Sequence, residues 1–414
     1  MKRCSIVIGS LWGDEGKGHM TDILCGKEKN TLNVRFNGGA QASHTVVTPD
    51  NKRHAFRHFG AGTFAGSKTY LSEFFIVNPV AFVFERNELV ESFGILPYVY
   101  VNPNCIVTTL WDIYINQAIE AKRNAERHGS CGFGINETVL RCRIDKYKIT
   151  VMDLFAKDSL RNKLLAIQDE YVDWRLKTEY GLCVEDLPAE YQEALRCEEN
   201  IDMFLFYAEE FVSNVHIVGD SILSRFDNVV FEGAQGLLLD QNNKAYLPHV
   251  TTSNTGIKNV MKILKDVGFN GKVDIYYMSR CYMTKHGAGP FKNELGGIPY
   301  SNVVDLTNVP NEFQGSLRFS YLDFDLLAFE INKDLQNLNV PANVYITFTC
   351  LDQVDEQVIY FEGGIRKSVD NAMFLDVAWD YFSNKINGLN GLFATDGLTR
   401  ECIISYKVKK VAYA

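Results

Sequence analysis

A glycine-rich stretch near the start of the chain contains the residues best suited to chemistry. In order it runs Gly13, Asp14, Glu15, Gly16, Lys17 and Gly18. Glycines let backbone N–H groups approach an anion closely, and Lys17 adds a positive charge for phosphates. Leu11 and Gly18 depart from the Walker A pattern, which has a glycine and then a hydroxyl residue at those positions. A carboxylate beside phosphates is repulsive unless it binds a metal or acts as a base, so Asp14 is a candidate for both roles.

A second glycine-containing loop ends in a histidine. It begins with Asn37, Gly38 and Gly39 and runs through Gln41 to His44. The histidine is either a capping or core residue or the general acid of a crevice. Because both loops follow strand-like segments and lie close in sequence, we expect them to form one crevice at the edge of a parallel sheet.

The elements that must position these loops are apolar segments with the character of buried strands. Such segments occupy residues 5–9, 32–36, 228–232, 273–278 and 344–348. They predict an α/β fold with a mostly parallel central sheet, similar to that of P-loop NTPases. Residues 155–215 are charged and have a helical period, which predicts a mostly helical insertion in a single domain spanning residues 1–414.

The composition is that of a globular protein. Of 414 residues, 46% are hydrophobic and 22% are charged. The net charge of −9 argues against a nucleic-acid partner, which needs a basic face. Ten cysteines occur without a C-x-x-C pair, so neither a zinc ribbon nor a disulfide framework is indicated. With no long apolar run and no signal peptide, we expect a cytoplasmic protein that does not enter a membrane.

Motifs along nearly the whole chain resemble those of adenylosuccinate synthetases. In the family's order they are residues 12–18, 34–39, 43–45, 231–236, 250–255, 287–291 and 311–313. The first glycine loop and residues 231–236 and 250–255 are the most specific. The resemblance implies a ligase that phosphorylates O6 of IMP with GTP and then displaces the phosphate with L-aspartate, giving adenylosuccinate, GDP and phosphate.

The resemblance also implies which residues perform this chemistry. Asp14 would take the N1 proton of the purine, and it would bind Mg²⁺ together with the backbone carbonyl of Ser43. His44 would donate to the transferring phosphoryl group, Lys17 would bind phosphates, and Gln235 would contact O6.

A further set is implied to bind the nucleotides. It comprises Gly13, Glu15, Gly16, Gly18, Gln41, Ser130, Cys131, Arg141, Thr251, Thr252, His286, Asp352 and Gly397. Arg141 lies where the family places an arginine that reaches the partner subunit's site, which implies a homodimer. Asp352 can accept from both N1–H and the 2-amino group of guanine, a donor pair that adenine lacks.

Among the departures from the family, one bears on the amine substrate and one on the donor nucleotide. The segment that binds aspartate, residues 311–323, is trimmed and keeps one arginine, Arg318, with Ser316 as a second candidate for the amine substrate. A dicarboxylate normally takes bidentate guanidinium contacts, so the identity of the amine stays open. Cys350 replaces the lysine that covers the guanine ring in the family, which leaves the choice of GTP or ATP open.

Three alternatives follow. One is a divergent relative that uses another purine monophosphate such as dGMP, another amine, or ATP. Another is an inert nucleotide-binding regulator, against which the retained Asp14, Lys17 and His44 count. A P-loop GTPase switch fits poorly, because no Ser or Thr follows Lys17.

Overall fold

The computed structural model describes residues 1–123, 131–305 and 315–408. The strands in these ranges are β1 (Arg3–Gly9), β2 (Thr31–Arg35), β3 (His44–Val47), β4 (Arg53–Phe56), β5 (Lys68–Leu71), β6 (Val99–Val101), β7 (His216–Ile217), β8 (Asn228–Gly236), β9 (Val273–Arg280), β10 (Tyr282–Lys285), β11 (Glu294–Leu295), β12 (Arg318–Asp323), β13 (Ala342–Thr349), β14 (Gln357–Glu362), β15 (Ile365–Asp370), β16 (Leu389–Thr395) and β17 (Ile403–Tyr406). The α-helices are α1 (Lys17–Gly26), α2 (Pro79–Phe93), α3 (Leu110–Arg123), α4 (Ile135–Arg141), α5 (Lys157–Ala166), α6 (Val172–Arg175), α7 (Ala189–Arg196), α8 (Glu199–Ser213), α9 (Lys258–Asp266), α10 (Phe324–Leu335) and α11 (Phe374–Lys385).

A ten-stranded sheet in the order β17-β16-β13-β9-β1-β8-β2-β5-β6-β7 forms the centre of the molecule. All of its described pairings are parallel except that of β16 with β17. The predicted α/β fold with a mostly parallel central sheet is therefore confirmed. A smaller sheet contains β10, β12, β14 and β15, with β11 paired to β12. Strands β3 and β4 form an antiparallel pair.

The central strands are apolar because both faces of the sheet are covered. Side chains alternate across β1, so Ile6 and Ile8 enter one core, while Val7 enters another with Met20 and Ile23 of α1. A third core lies among the helices, where α2 packs against α8 and α5 contacts α8. Helices α5 to α8 occupy the stretch expected to be a helical insertion, and its relation to a single domain stays a prediction.

The topology brings several loops to one edge of the sheet. In a parallel sheet the carboxyl ends of neighbouring strands meet, and β2, β8, β1, β9 and β13 are consecutive here. Four of them, β2, β8, β1 and β13, are followed by loops that contain residues singled out in the sequence, whereas β9 continues almost directly into β10. In the described part of the chain, no helix combines the length and the apolar character needed to cross a bilayer.

Candidate active site

The first glycine loop turns sharply between β1 and α1. Gly13, Asp14 and Gly16 have φ angles of 98°, 48° and 85°, all in the left-handed region. A Cβ added at residue 16 would lie 2.8 Å from Cγ2 of Thr349, so only glycine fits against the end of β13. A non-glycine residue in this region carries a conformational cost, which marks Asp14 as a residue held by its surroundings.

Glu15 and Lys17 lie beneath this loop and are almost completely buried. Glu15 Oε1 accepts from the backbone N–H of Leu11 at 2.7 Å. A Cβ added at Gly9 would lie 2.5 Å from Glu15 Oε2 and 3.0 Å from Lys17 Nζ, so both charged groups meet at the end of β1. Burial lowers the pKa of Lys17, against the opposing charges of Glu15 and Asp14. A buried ammonium beside a glycine turn and a helix N-terminus is suited to bind phosphate.

The contact between Gly18 and His44 explains the main departure from the Walker A pattern. A Cβ at residue 18 would lie 2.8 Å from Cβ of His44 and 3.2 Å from its backbone carbon. The start of β3 therefore packs directly on the first turn of α1. A serine or threonine at residue 18 would displace the histidine that the crevice contains.

His44 is oriented by a buried carboxylate. Its Nδ1 donates a short hydrogen bond to Glu232 Oε1, and Glu232 Oε2 accepts from the backbone N–H of Ala61 at 3.0 Å. The hydrogen bond fixes the proton on Nδ1, which leaves Nε2 as the nitrogen for contact with a substrate. Burial lowers the pKa of His44 to about 4, although the charge of Glu232 opposes this shift.

Two charged residues at this edge were not singled out from the sequence. Glu232 has no exposed surface, and in the sequence it stands out only as a member of the motif at residues 231–236. Arg35, at the end of β2, is also fully buried. Its Nη1 donates to Phe59 O at 3.4 Å, while Nε and Nη2 have no hydrogen-bond partner among the described residues. A glutamate and an arginine inside two otherwise apolar, strand-like segments are the sequence signal that could have identified them.

Three predicted side chains bring unpaired polar atoms to the crevice. Gln235 Oε1, both amide atoms of Gln41 and Thr252 Oγ1 are buried without a hydrogen-bond partner in the described ranges. Gln235 has a φ of 63°, and a Cβ at Gly13 would lie 3.5 Å from its Cα. Buried polar groups are normally paired, so these atoms indicate where a polar ligand binds.

Asn37 connects the loops that carry these side chains. Its Oδ1 accepts from the backbone N–H of Ala234 at 2.7 Å, and its Nδ2 donates to Asn254 O at 2.9 Å. The loops after β2 and β8 and the segment with Thr251 and Thr252 therefore face one crevice. The backbone N–H of Thr251 is used within this segment, where it donates to Leu239 O at 2.8 Å.

Asp14 faces His286 across the mouth of the crevice. Nε2 of the histidine lies 3.0 Å from Oδ2 of the aspartate, and both side chains are partly exposed. Burial acts to raise the pKa of Asp14, but the hydrogen bond and charge of His286 and the charges of Arg280 and Lys17 lower it to about 2. Asp14 is therefore a carboxylate at any ordinary pH, which suits contact with a cation.

A second set of predicted residues meets beside the first turn of α1. His19 Nε2 donates to Thr399 O at 2.8 Å, which ties α1 to the loop after β16. Burial raises the pKa of Asp352, and the charge of Asp396 adds to this shift while His19 opposes it. Gly397 lies in the same loop, where a Cβ would be 2.7 Å from Cys402 Sγ. Asp352 and the loop that contains Gly397 therefore lie close together, and their role as a base-binding corner stays a prediction.

Arg141 contradicts the prediction that it reaches a partner subunit. The residue is fully buried, and its Nε and Nη2 form two hydrogen bonds of 2.8 Å with the carboxylate of Asp112. Further donors contact Val107 O at 2.7 Å and Tyr147 O at 2.6 Å. A guanidinium with these partners is a structural group of its own chain.

The remaining predicted residues lie away from the contacts described above or outside the described ranges. Ser130 lies outside the described residues. Cys131 begins the next described range, and Arg57 connects that range to the second loop by donating to Ala40 O at 3.2 Å and lying 5.2 Å from the ring centroid of Phe133. Ser316 is exposed. Arg318 forms an ion pair with Glu294.

Comparison with known proteins identifies one family over most of the chain. The sequence model of the adenylosuccinate synthetase family matches residues 6–318. The adenylosuccinate synthetase of Lactobacillus acidophilus is 30% identical over 354 residues, which cover 84% of this chain and 78% of that protein. The adenylosuccinate synthetase of a Psychrobacter strain is 29% identical over 298 residues, which cover 70% of this chain and 65% of that protein.

Two solved structures share the fold. Fully ligated adenylosuccinate synthetase from Plasmodium falciparum gives a TM-score of 0.75 at 19% identity, over 99% of this chain and 100% of that one. Succinoaminodeoxyadenylate synthetase from cyanophage S-2L, bound to dGMP and to dATP as an energy donor, gives 0.58 at 13% identity, over 98% of this chain and 96% of that one. At these identities the likeness concerns the fold.

Proposed function

This chain belongs to the adenylosuccinate synthetase family, and from that membership we propose that it converts IMP, aspartate and GTP into adenylosuccinate, GDP and phosphate. The family consists of C–N ligases of purine biosynthesis. The observation that supports this activity most strongly is the crevice at the end of β1, where a buried ammonium, an ionised aspartate and a carboxylate-bound histidine accompany unpaired amide atoms.

The first step activates the purine, because its 6-oxo group is a poor leaving group. Asp14 accepts the N1 proton, and O6 attacks the γ-phosphorus of the triphosphate. An O6–P bond forms, and the bond between that phosphorus and the β–γ bridging oxygen breaks. His44 donates to the transferring group and Lys17 neutralises phosphate charge. The low pKa of Asp14 makes it a weak base, so its contribution depends on its position beside N1.

The second step exchanges phosphate for the amine. The nitrogen of aspartate attacks C6, a C–N bond forms, the C6–O bond breaks, and phosphate leaves while the amine loses a proton. Gln235 would donate an amide N–H to O6, and its buried, unpaired Oε1 supports a polar ligand beside the same side chain. Gln41 and Thr252 would contact the purine nucleotide, since their polar atoms are unpaired in the described part of the chain.

Mg²⁺ fits the donor set. Among the described residues, no cluster of three or more His, Cys, Asp or Glu side chains could bind a metal. Magnesium is commonly bound by one or two protein oxygens together with substrate phosphates. The Asp14 carboxylate and the backbone carbonyl of Ser43, the neighbour of His44, would provide those oxygens. Bound there, the ion would neutralise charge on the β- and γ-phosphates.

The donor nucleotide is proposed to be GTP. Asp352, placed beside His19 and Asp396, would accept from N1–H and the 2-amino group of guanine. Gly397 belongs to the loop after β16, which the family resemblance places against the same base. Cys350, at a φ of 65°, stands where the family has a lysine, so the base would be recognised mainly through Asp352.

We also propose a cytoplasmic location and a homodimeric state. All ten cysteines are free thiols, which is typical of the reducing cytoplasm. A homodimer is retained as a proposal on the family resemblance alone, because Arg141 is used within its own chain.

Phosphate release by the purified protein tests the activity. IMP, GMP and dGMP would each be combined with GTP or ATP and Mg²⁺, with and without aspartate, and the products identified by mass spectrometry. We expect release that requires IMP, GTP and aspartate together, and its loss in Asp14→Asn. Release that requires dGMP would indicate a divergent purine specificity, and release that is indifferent to aspartate would indicate another amine. Nucleotide binding without release in any mixture would favour an inert regulator.

A further inference from the structure

Arg318 and Glu294 form a forked ion pair on the smaller sheet. Arg318 Nε donates to Glu294 Oε1 at 2.7 Å, and Arg318 Nη2 donates to the other carboxylate oxygen at 2.5 Å. The backbone keeps the two residues together, because Glu294 pairs with Ser320 between β11 and β12. The carboxylate of Glu294 thus occupies the geometry in which a guanidinium would bind the carboxylate of a substrate.

The third nitrogen of Arg318 contacts the loop between β10 and β11. Nη1 donates to Gly287 O and to Gly289 O, both at 2.9 Å. Every guanidinium nitrogen therefore has a protein partner. A carboxylate of the amine substrate would have to displace Glu294 or one of these carbonyls, and the displaced Glu294 would remain nearby as a like charge.

The same loop reaches the first glycine loop on its other side. Lys285 Nζ lies 4.9 Å from the ring centroid of Trp12 and donates to His286 O at 3.1 Å. His286 Nε2 then contacts Asp14 at 3.0 Å. Gly289 has a φ of 94°, and a Cβ there would lie 2.5 Å from His249 Cδ2. The loop is consequently fixed at several points between Arg318 and Asp14.

We propose that Arg318 is a positioning residue that fixes residues 285–289 so that His286 contacts Asp14, and that Glu294, not a substrate carboxylate, is its acidic partner. The amine substrate is then bound through other groups. The inference rests on the proposed function for its kinetic consequences, while the structural role of the pair can be measured without turnover.

Kinetics separate a positioning role from direct binding of the amine. We expect Arg318→Met and Glu294→Ala each to lower kcat about 10- to 100-fold, as is typical when an outer partner of a catalytic group is lost, with KM for aspartate changed by less than about twofold. Arg318→Lys would give no rescue, because an ammonium cannot contact a carboxylate and two carbonyls in one plane. If Arg318 binds aspartate directly, Arg318→Met raises KM for aspartate and Glu294→Ala lowers it, which would overturn the proposal.

Hydrogen exchange measured by mass spectrometry provides the readout that is independent of catalysis. We expect peptides covering residues 285–291 to exchange faster in Arg318→Met and Glu294→Ala than in the wild type. Glu362→Ala is the matched control, because it removes another partly exposed pair of the same sheet, with Lys367 Nζ at 2.9 Å. Glu294→Gln keeps the shape of the side chain and serves if the alanine variant fails to fold.

The two measurements distinguish the two proposals. A wild-type protein without turnover whose variants still show faster exchange would contradict the proposed function and support the positioning role. Unchanged exchange in residues 285–291 of a folded Arg318→Met protein would overturn the positioning role, whatever the activity of the wild type.

Discussion

His44 and Glu232 are 188 positions apart in sequence and form a buried hydrogen bond at the carboxyl edge of the central sheet. The pair resembles other arrangements in which a carboxylate fixes the tautomer and the orientation of an imidazole. Because burial lowers the pKa of His44 to about 4, the free protein carries a neutral histidine near pH 7. A phosphoryl group beside Nε2 would favour the protonated form and make the ring a donor.

The first prediction concerns this pair. We expect His44→Ala to lower kcat about 10²- to 10³-fold, the usual loss when a donor to developing charge is removed. Glu232→Gln should reduce kcat less. It should also move the alkaline limb of the kcat profile to lower pH, because the charge of Glu232 raises the pKa of His44 and its removal lowers that pKa. The measurement is kcat against pH at saturating substrates.

Glu209→Gln is the control for this series, since it neutralises an exposed carboxylate paired with Lys157. We expect its pH profile to match that of the wild type. An alkaline limb that stays in place in Glu232→Gln would remove His44 from proton donation.

The second prediction concerns Gly18. Gly18→Ser would restore the Walker A hydroxyl residue, but its Cβ would lie 2.8 Å from Cβ of His44. We expect kcat to fall at least about 10-fold and the free energy of unfolding to fall by about 1–3 kcal/mol, the typical cost of overpacking. Urea unfolding and steady-state kinetics measure both quantities.

Gly219→Ser is the control for Gly18→Ser, because nothing lies within 4 Å of a Cβ at residue 219. Full activity in Gly18→Ser would show that β3 moves away freely.

The third prediction concerns recognition of the donor nucleotide. Asp352→Asn loses the charge and one acceptor toward guanine, so we expect KM for GTP to rise about 10- to 100-fold, as when a hydrogen bond to a charged group is lost. KM for ATP should change little, since adenine offers no such donor pair. Asp380→Asn, on an exposed position of α11, is the control. Equal effects on both nucleotides would place Asp352 outside the base site.

Local sequence patterns predicted the features that depend on neighbours in the chain. The first glycine loop, the strand before it and the loop with His44 are short segments, and their own residue types fix their conformation. Glu232 was missed as the partner of His44 because the pairing spans 188 positions. Arg141 was misassigned for the same reason, since its partner Asp112 lies 29 positions earlier and on another helix. Partners of buried charges depend on how elements pack, which a single sequence does not reveal.

The last prediction concerns the stability that the Arg141–Asp112 pair provides. Both side chains are fully buried, so Arg141→Met would leave an uncompensated carboxylate, and we expect the free energy of unfolding to fall by about 3–5 kcal/mol. Arg161→Met breaks the exposed pair with Asp202 and should cost less than about 1 kcal/mol. Urea denaturation of the two variants makes the comparison.

A double variant tests the same pair. Both carboxylate oxygens of Asp112 accept from Arg141, so Arg141→Met/Asp112→Leu removes the unpaired charge and should recover part of the lost stability. Similar losses in Arg141→Met and Arg161→Met would contradict a structural role for Arg141 and return it to consideration as a residue that acts between subunits.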